Sequence, residues 1–234
     1  MGASSEHTPL GQLAERYWVE SRRPLASLMF IAPLLIIYET GVLVLGVQNG
    51  ADAFMRRLLD MLGFGQHLLL PVLTVCILLS LHYLSRRPWQ LSGSIISGMA
   101  VESILLGLCL RTISVVQNTL VTMNLGDKIK DAVGFLGAGI YEELLFRLIL
   151  LSLVAWAFRR AGTVPRVSMI LAAVITSLLF AAAHHVGPSG EPLQYSRFLF
   201  RFLAGIFFSI VFIYRGFGIA AGSHAAYDLM VGVF

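Results

Sequence analysis

The chain has 234 residues, 57% of them hydrophobic and only 13% charged, with a formal net charge of +4. Soluble domains carry about 25% charged residues, so this composition, with a mean hydropathy of +0.79, excludes an ordinary soluble domain and places the chain in a membrane. The positive balance points away from nucleic acid, because the arginines come as pairs at the ends of apolar runs (Arg22–Arg23, Arg56–Arg57, Arg86–Arg87, Arg159–Arg160), where snorkelling and loop asymmetry put them.

Residues 1–24 form a polar N-terminal segment of mixed charge, and the apolar run that follows is too long for a cleaved signal peptide. It reads as a retained first helix. Apolar segments at 25–47, 66–84, 93–117, 132–158, 165–185, 196–214 and 217–233 each approach the roughly 20 residues that cross a bilayer. The expected fold class is all-α, a polytopic integral membrane bundle of about seven transmembrane helices. Between the first two segments, ADAFMRRLLDMLGF (51–64) mixes charge with apolar residues at helical spacing, which suits an interfacial helix or an ordinary connecting one. The loop HVGPSGEPLQYS (185–196) is a break rich in Gly and Pro. With the N-terminus in the cytoplasm, nine basic residues lie on the cytoplasmic side and six on the other, a bias that favours that orientation. Cys76 and Cys109 both fall within spans, so no disulfide framework is implied.

Ionisable residues inside spans are rare and face the bundle interior. Here they are Glu39, Glu102, Arg111, Glu142, Glu143, Arg147, His184, His224 and Asp228, with His82 and His185 near span ends. For Glu39, Glu102 and Arg111 a buried salt bridge or interhelical hydrogen bond is the expected role. The others come in helical register. Glu143 and Arg147 are four apart in YEELLFRLIL, His184 follows Phe180 in FAAAH, and Asp228 follows His224 in HAAYD, so each pair shares a helix face. If these helices pack together, carboxylates and imidazoles converge on one cavity open to one side of the membrane. With Arg147 neutralising one glutamate, the other is left to take a proton from water, a general-base arrangement for hydrolysis. The imidazoles then assist the base or donate to a developing oxyanion.

Other hydrolase types fit less well. No HExxH zinc motif is present, and Ser223 in AGSHAA is the sole candidate for a serine nucleophile, although its neighbour His224 points to a different face. Asp228 lacks the GxGD context of an aspartyl pair. A zinc held by His184, His224 and one of Glu142 or Glu143 stays open, since two histidines and a glutamate form a catalytic zinc set.

The motifs EELLFR (142–147), FAAAH (180–184) and HAAYD (224–228), in that order on separate helices, resemble the CPBP intramembrane proteases, which include the CAAX prenyl endopeptidases and bacterial immunity-type proteins. FLAGIFFS (202–209) is similar to the glycine-containing segment between the family's second and third motifs. The resemblance covers about 132–230. It implies an endopeptidase acting on a membrane-associated protein or peptide in the lipid bilayer of a bacterial inner membrane, with residues 25–131 as N-terminal transmembrane helices and 132–234 as a catalytic core in one structural domain with them. It further implies that Glu142 activates water with help from His184, that His224 and Asp228 lie at the oxyanion, and that Glu143 pairs with Arg147. The implied mechanism is of the glutamate type and needs no metal, with the zinc version as its alternative. One position departs: the prenyl endopeptidases carry Asn in the last motif, and Asp228 donates a hydrogen bond only when protonated. Two further readings stand beside this one, a non-catalytic immunity or scaffolding protein and a proton-relay transporter, the latter without the internal repeat that transporters often carry.

Overall fold

The computed structural model describes residues 9–65, 67–116, 128–186 and 190–232. The first eight residues of the polar segment, residues 187–189 of the Gly- and Pro-rich loop, and the outer positions 66, 117 and 233 of three expected spans lie outside the described residues.

Among the described residues the structure is helical throughout, without strands. Helix α1 (Pro9–Glu20) leads into α2 (Pro24–Leu45), which opens on a proline, where a missing N–H costs nothing. It closes at Gly46, whose φ of 67° suits glycine. A short connection then ends at Asn49, whose Oδ1 accepts from the Ala51 amide at 2.8 Å. That N-cap starts α3 (Gly50–Met61), an amphipathic helix with Asp52 and Met55 buried and Phe54, Leu58 and Met61 exposed. Helices α4 (Leu69–Leu84) and α5 (Gly93–Val116) follow.

The segment expected as one α-helix over 132–158 is helical from 128 to 160 but not uniformly α. It runs as α6 (Lys128–Gly137), two π-helical stretches (Ala138–Glu142 and Leu144–Leu151), and α7 (Ser152–Arg160). The widened turns fall on EELLFR, in keeping with the tendency of π turns to occur at functional sites. Helices α8 (Pro165–Ala183), α9 (Tyr195–Arg215) and α10 (Phe217–Gly232) complete the bundle.

Helices α2, α5, α8 and α9 are long and apolar enough to cross a membrane. The expected count of seven is not established on that measure, because α4 and α10 have 16 residues each. At 1.5 Å per residue such a helix covers about 24 Å, short of a hydrocarbon core about 30 Å thick.

Helix α10 packs against α5 most extensively and also against α2, α9 and the first π-helical stretch. Residues 219–225 of this helix, IAAGSHA, are all buried, and the small ones among them let neighbouring backbones come close. Gly139 makes this concrete, since a Cβ there would stand 2.7 Å from the Ala221 carbonyl oxygen. The main apolar cluster joins Ile31, Leu35 and Tyr38 of α2 to Ile140, Tyr141 and Leu144, and to Phe217 and Ala221 of α10. Packing thus seats the middle of the 128–160 helix between α2 and α10.

Candidate active site

Glu142, Glu143, Arg147, His184, His224 and Asp228 come together in one cluster, drawn from three places in the sequence. Glu143 is fully buried, and its Oε1 lies 2.9 Å from Arg147 Nη1 and 2.8 Å from His224 Nδ1. Its second oxygen has no hydrogen-bond partner among the described residues. The Arg147 guanidinium, also buried, donates from Nη2 to the Gly205 carbonyl at 3.3 Å. It lies over the Phe180 ring, 4.4 Å from the centroid. Such a contact is attractive in a dry site, and it gives the phenylalanine of FAAAH a part in holding the ion pair.

The same motif sets the histidine. Helix α8 ends at Ala183, leaving the carbonyls of its last turn without helical donors. His184 Nδ1 donates to one of these, the Phe180 oxygen, at 2.8 Å. That bond fixes the ring and turns Nε2 toward Glu142, 4.0 Å from its Oε2.

His224 is held differently. Its Nδ1–H donates to Glu143, and its ring stacks on Phe208 of α9 at 4.4 Å. Nε2 then faces two carboxylates, Glu142 Oε2 at 3.8 Å and Asp228 Oδ2 at 3.4 Å. Glu142 is therefore the carboxylate left over: it makes no contact with Arg147 like that of Glu143, and its Oε2 stands between two imidazoles.

These groups line a cavity of about 240 Å³ at the end of the bundle where α8 and α10 finish and α9 begins. Glu142, His184, His224 and Asp228 all border it, with Arg197 and Arg201 of α9 and Glu191 of the preceding loop on its rim. Glu191 accepts from Arg201 Nη2 at 2.7 Å and from Arg197 Nη1 at 3.2 Å. Burial pushes the Glu191 carboxyl up, but these two guanidinium groups outweigh it and hold it below the ordinary carboxylate range.

Close approach of α8 and α9 shapes the same wall. A Cβ at Gly205 would stand 2.8 Å from Ser177 Cβ, so the glycine of FLAGIFFS both permits this contact and presents its carbonyl to Arg147.

The remaining polar residues fall outside the cluster. Glu39 pairs with Arg56 at 3.0 Å, and Glu102 pairs with Arg215 at 2.6 Å, as expected of buried ion pairs. Arg111 forms no ion pair with another described residue. Ser223 is buried and its hydroxyl donates to the Ala220 carbonyl at 3.0 Å, so it is not presented to the cavity. His82 sits edge-on to Trp89 with ring centroids 4.6 Å apart. His185 donates from Nδ1 to the Glu191 carbonyl at 2.9 Å; it braces the loop and does not line the cavity.

One neighbour of Glu142 was not singled out from the sequence. Asn49 Nδ2 donates to Glu142 Oε1 at 3.2 Å. QNGADAF carries a readable helix-start signal at Asn49, but nothing local marks a contact with a residue 93 positions away.

For a zinc held by Glu142, His184 and His224, the carboxylate stands wide of both imidazoles. Ligands bound tetrahedrally at 2.0–2.1 Å stand roughly 3.4 Å apart, whereas Glu142 Oε2 lies 4.0 Å and 3.8 Å from the two imidazole nitrogens. Glu143, the other carboxylate considered for zinc, directs Oε1 at a guanidinium and at the Nδ1 of His224. Among the described residues no group of three His, Cys, Asp or Glu is arranged to hold a metal ion.

Comparison with known families bears on the segment that holds all six residues. Residues 131–230 match the family described as Type II CAAX prenyl endopeptidase Rce1-like. This is the family of intramembrane proteases whose motifs the sequence resembles, and the match spans the cluster from Glu142 to Asp228. No curated protein and no solved structure matches the chain.

Proposed function

We propose that this chain is an intramembrane endopeptidase that hydrolyses a peptide bond in a membrane-associated protein or peptide, using water activated by Glu142 without a metal. The observation that carries this reading is the position of Glu142 Oε2, 4.0 Å from His184 Nε2 at the border of an open cavity. Two acceptors that far apart each lie within about 2.8 Å of a single water placed between them. With Nδ1–H committed to the Phe180 carbonyl, neutral His184 presents a lone pair at Nε2.

In this reading the water oxygen attacks the scissile carbonyl carbon and its proton passes to Glu142. His224, doubly protonated, and Asp228, when it carries a proton, donate to the oxyanion that forms. Collapse of the tetrahedral species breaks the C–N bond, and the proton held by Glu142 passes to the leaving amine. Products are a carboxylic acid, which keeps the water's second proton, and an amine, and the glutamate is restored. Glu143 and Arg147 neutralise each other beneath the reacting groups and set the direction of the helix that bears Glu142.

The residues fit a metal-free site better than a zinc site on the spacing given above. The bland alternative, a scaffold that keeps these residues for packing, does not account for Glu142, which faces a cavity and two imidazoles while its neighbour holds the arginine.

The test uses the purified full-length protein in liposomes and an internally quenched peptide ending in a farnesylated CAAX motif. Wild type is expected to cleave it, Glu142→Gln to remain folded and inactive, and a strong chelator to leave the rate unchanged. Cleavage by Glu142→Gln would overturn the mechanism, and loss of activity on chelation would restore the zinc version. Proton flux abolished by the same substitution, without any cleavage by wild type, would favour a relay.

A further inference from the structure

Glu142 sits in a closed ring of polar contacts, most of which lies outside the segment that matches the protease family. Starting from its Oε1, Asn49 Nδ2 donates at 3.2 Å. The Asn49 backbone amide donates to the Tyr38 hydroxyl at 2.9 Å, and that hydroxyl donates to Asp52 Oδ2 at 2.8 Å. Asp52 pairs with Arg56, Arg56 Nη2 donates to both oxygens of Glu39 at 3.0 Å, and Glu39 accepts the hydroxyl of Tyr141. Tyr141 precedes Glu142 in the chain, so the ring closes through a peptide bond.

Tyr38, Tyr141 and Asp52 are fully buried. A buried polar network of this kind is costly unless every member finds a partner; here each one does. The network grips Glu142 from two sides. The tyrosine before it anchors the backbone, and the asparagine amide fixes one carboxylate oxygen, leaving Oε2 for the imidazoles. Asn49 is itself fixed twice, by its amide on Tyr38 and by its Oδ1 on the Ala51 amide at 2.8 Å.

We infer that Asn49 is a positioning residue for Glu142, and that α2 and α3 thereby form part of the active site, an inference that rests on the reading of Glu142 as the base. A carboxylate free to rotate would present either oxygen to water, and displacements of about 1 Å at a reacting group cost up to about a hundredfold in rate.

Capping and positioning can be separated. Serine caps a helix about as well as asparagine but is too short to reach Glu142. Asn49→Ser is expected to lower kcat on the farnesylated peptide by about tenfold to a hundredfold, with KM within about twofold and the melting temperature within a few degrees of wild type. An unchanged kcat, or a kcat that falls only in step with the folded fraction, would overturn the inference.

A second arm needs no activity. Asn49→Asp keeps the cap and places a carboxylate against that of Glu142, so it is expected to lower the melting temperature. In the Glu142→Gln background the introduced carboxylate meets an amide donor, and the loss is expected to disappear. Equal losses in both backgrounds would show that the two side chains do not interact. Cleavage by wild type but not by Glu142→Gln upholds the base on its own, so failure of either Asn49 arm is attributable to Asn49 alone.

Discussion

His224 donates from Nδ1 to Glu143 Oε1 across 2.8 Å, joining α10 to the helix that carries the catalytic candidate one residue earlier. The same oxygen faces Arg147 at 2.9 Å. Two adjacent glutamates are thus separated in role by what they touch: Glu143 holds two cationic or donor groups in the dry interior, and Glu142 faces the cavity.

That separation predicts opposite outcomes for two neighbouring substitutions. Glu142→Gln should abolish cleavage and leave the melting temperature nearly unchanged. Arg147→Met should leave Glu143 as a buried, half-compensated charge and destabilise the protein by about 3–5 kcal/mol. Thermal denaturation of both variants in detergent checks this, and comparable melting temperatures for the two would refute it.

His184 is the accessible imidazole, its side chain 28% exposed against 5% for His224. His184→Ala should therefore be tolerated by the fold while cleavage drops by a factor of about 10²–10⁴. His224→Ala should damage both, because it removes the stack on Phe208 and a donor to Glu143. The ratio of activity loss to stability loss in the two variants is the measurement.

Gly205 has no room for a side chain against Ser177. Gly205→Val should push α8 and α9 apart, shift the carbonyl that accepts from Arg147, and cost about 1–3 kcal/mol by overpacking. A variant as stable as wild type would mean that this helix contact is looser than the 2.8 Å approach implies.

The rim supplies a pH signature. Glu191 is held below the ordinary carboxylate range by Arg201 and Arg197, so its folded value lies below its unfolded one. A group of that kind contributes stability that is complete above the unfolded value and is lost as pH falls through the folded one. Melting curves of wild type and Glu191→Gln should therefore differ most near neutral pH and converge in acid. A gap that stays constant down to acid pH would contradict this account.

Much of the site was readable from register. Spacing of four put Glu143 with Arg147 and His224 with Asp228, and each pair is in contact in the folded chain. Phe180 and His184 have the same spacing, and their link proved to be a ring-to-carbonyl bond at a helix end. The surplus of one carboxylate over one arginine singled out Glu142, which borders the cavity with Oε2 facing His184 and His224. What register could not supply was anything set by tertiary approach. The π turns at EELLFR leave no pattern in a string of apolar residues. Asn49 reaches Glu142 only because α3 folds back over the middle of the 128–160 helix, and Asp52, although buried, looked like one face of an amphipathic connector. The number of membrane crossings is not established for a similar reason: hydropathy gives the extent of an apolar run, while helix length follows from where caps and turns stop it.

The ring through Asn49, Tyr38, Asp52, Arg56, Glu39 and Tyr141 has a consequence for engineering. Grafting residues 131–230 onto foreign N-terminal helices would carry across every motif of the protease family and still leave Glu142 ungripped on one side, with Tyr141 missing its acceptor. Chimeras joined near residue 130 should insert into membranes and assemble yet cleave poorly, and those that also retain residues 38–56 should recover activity. The smallest exchangeable unit of this protein is set by a hydrogen-bonded circuit, not by the reach of its sequence motifs.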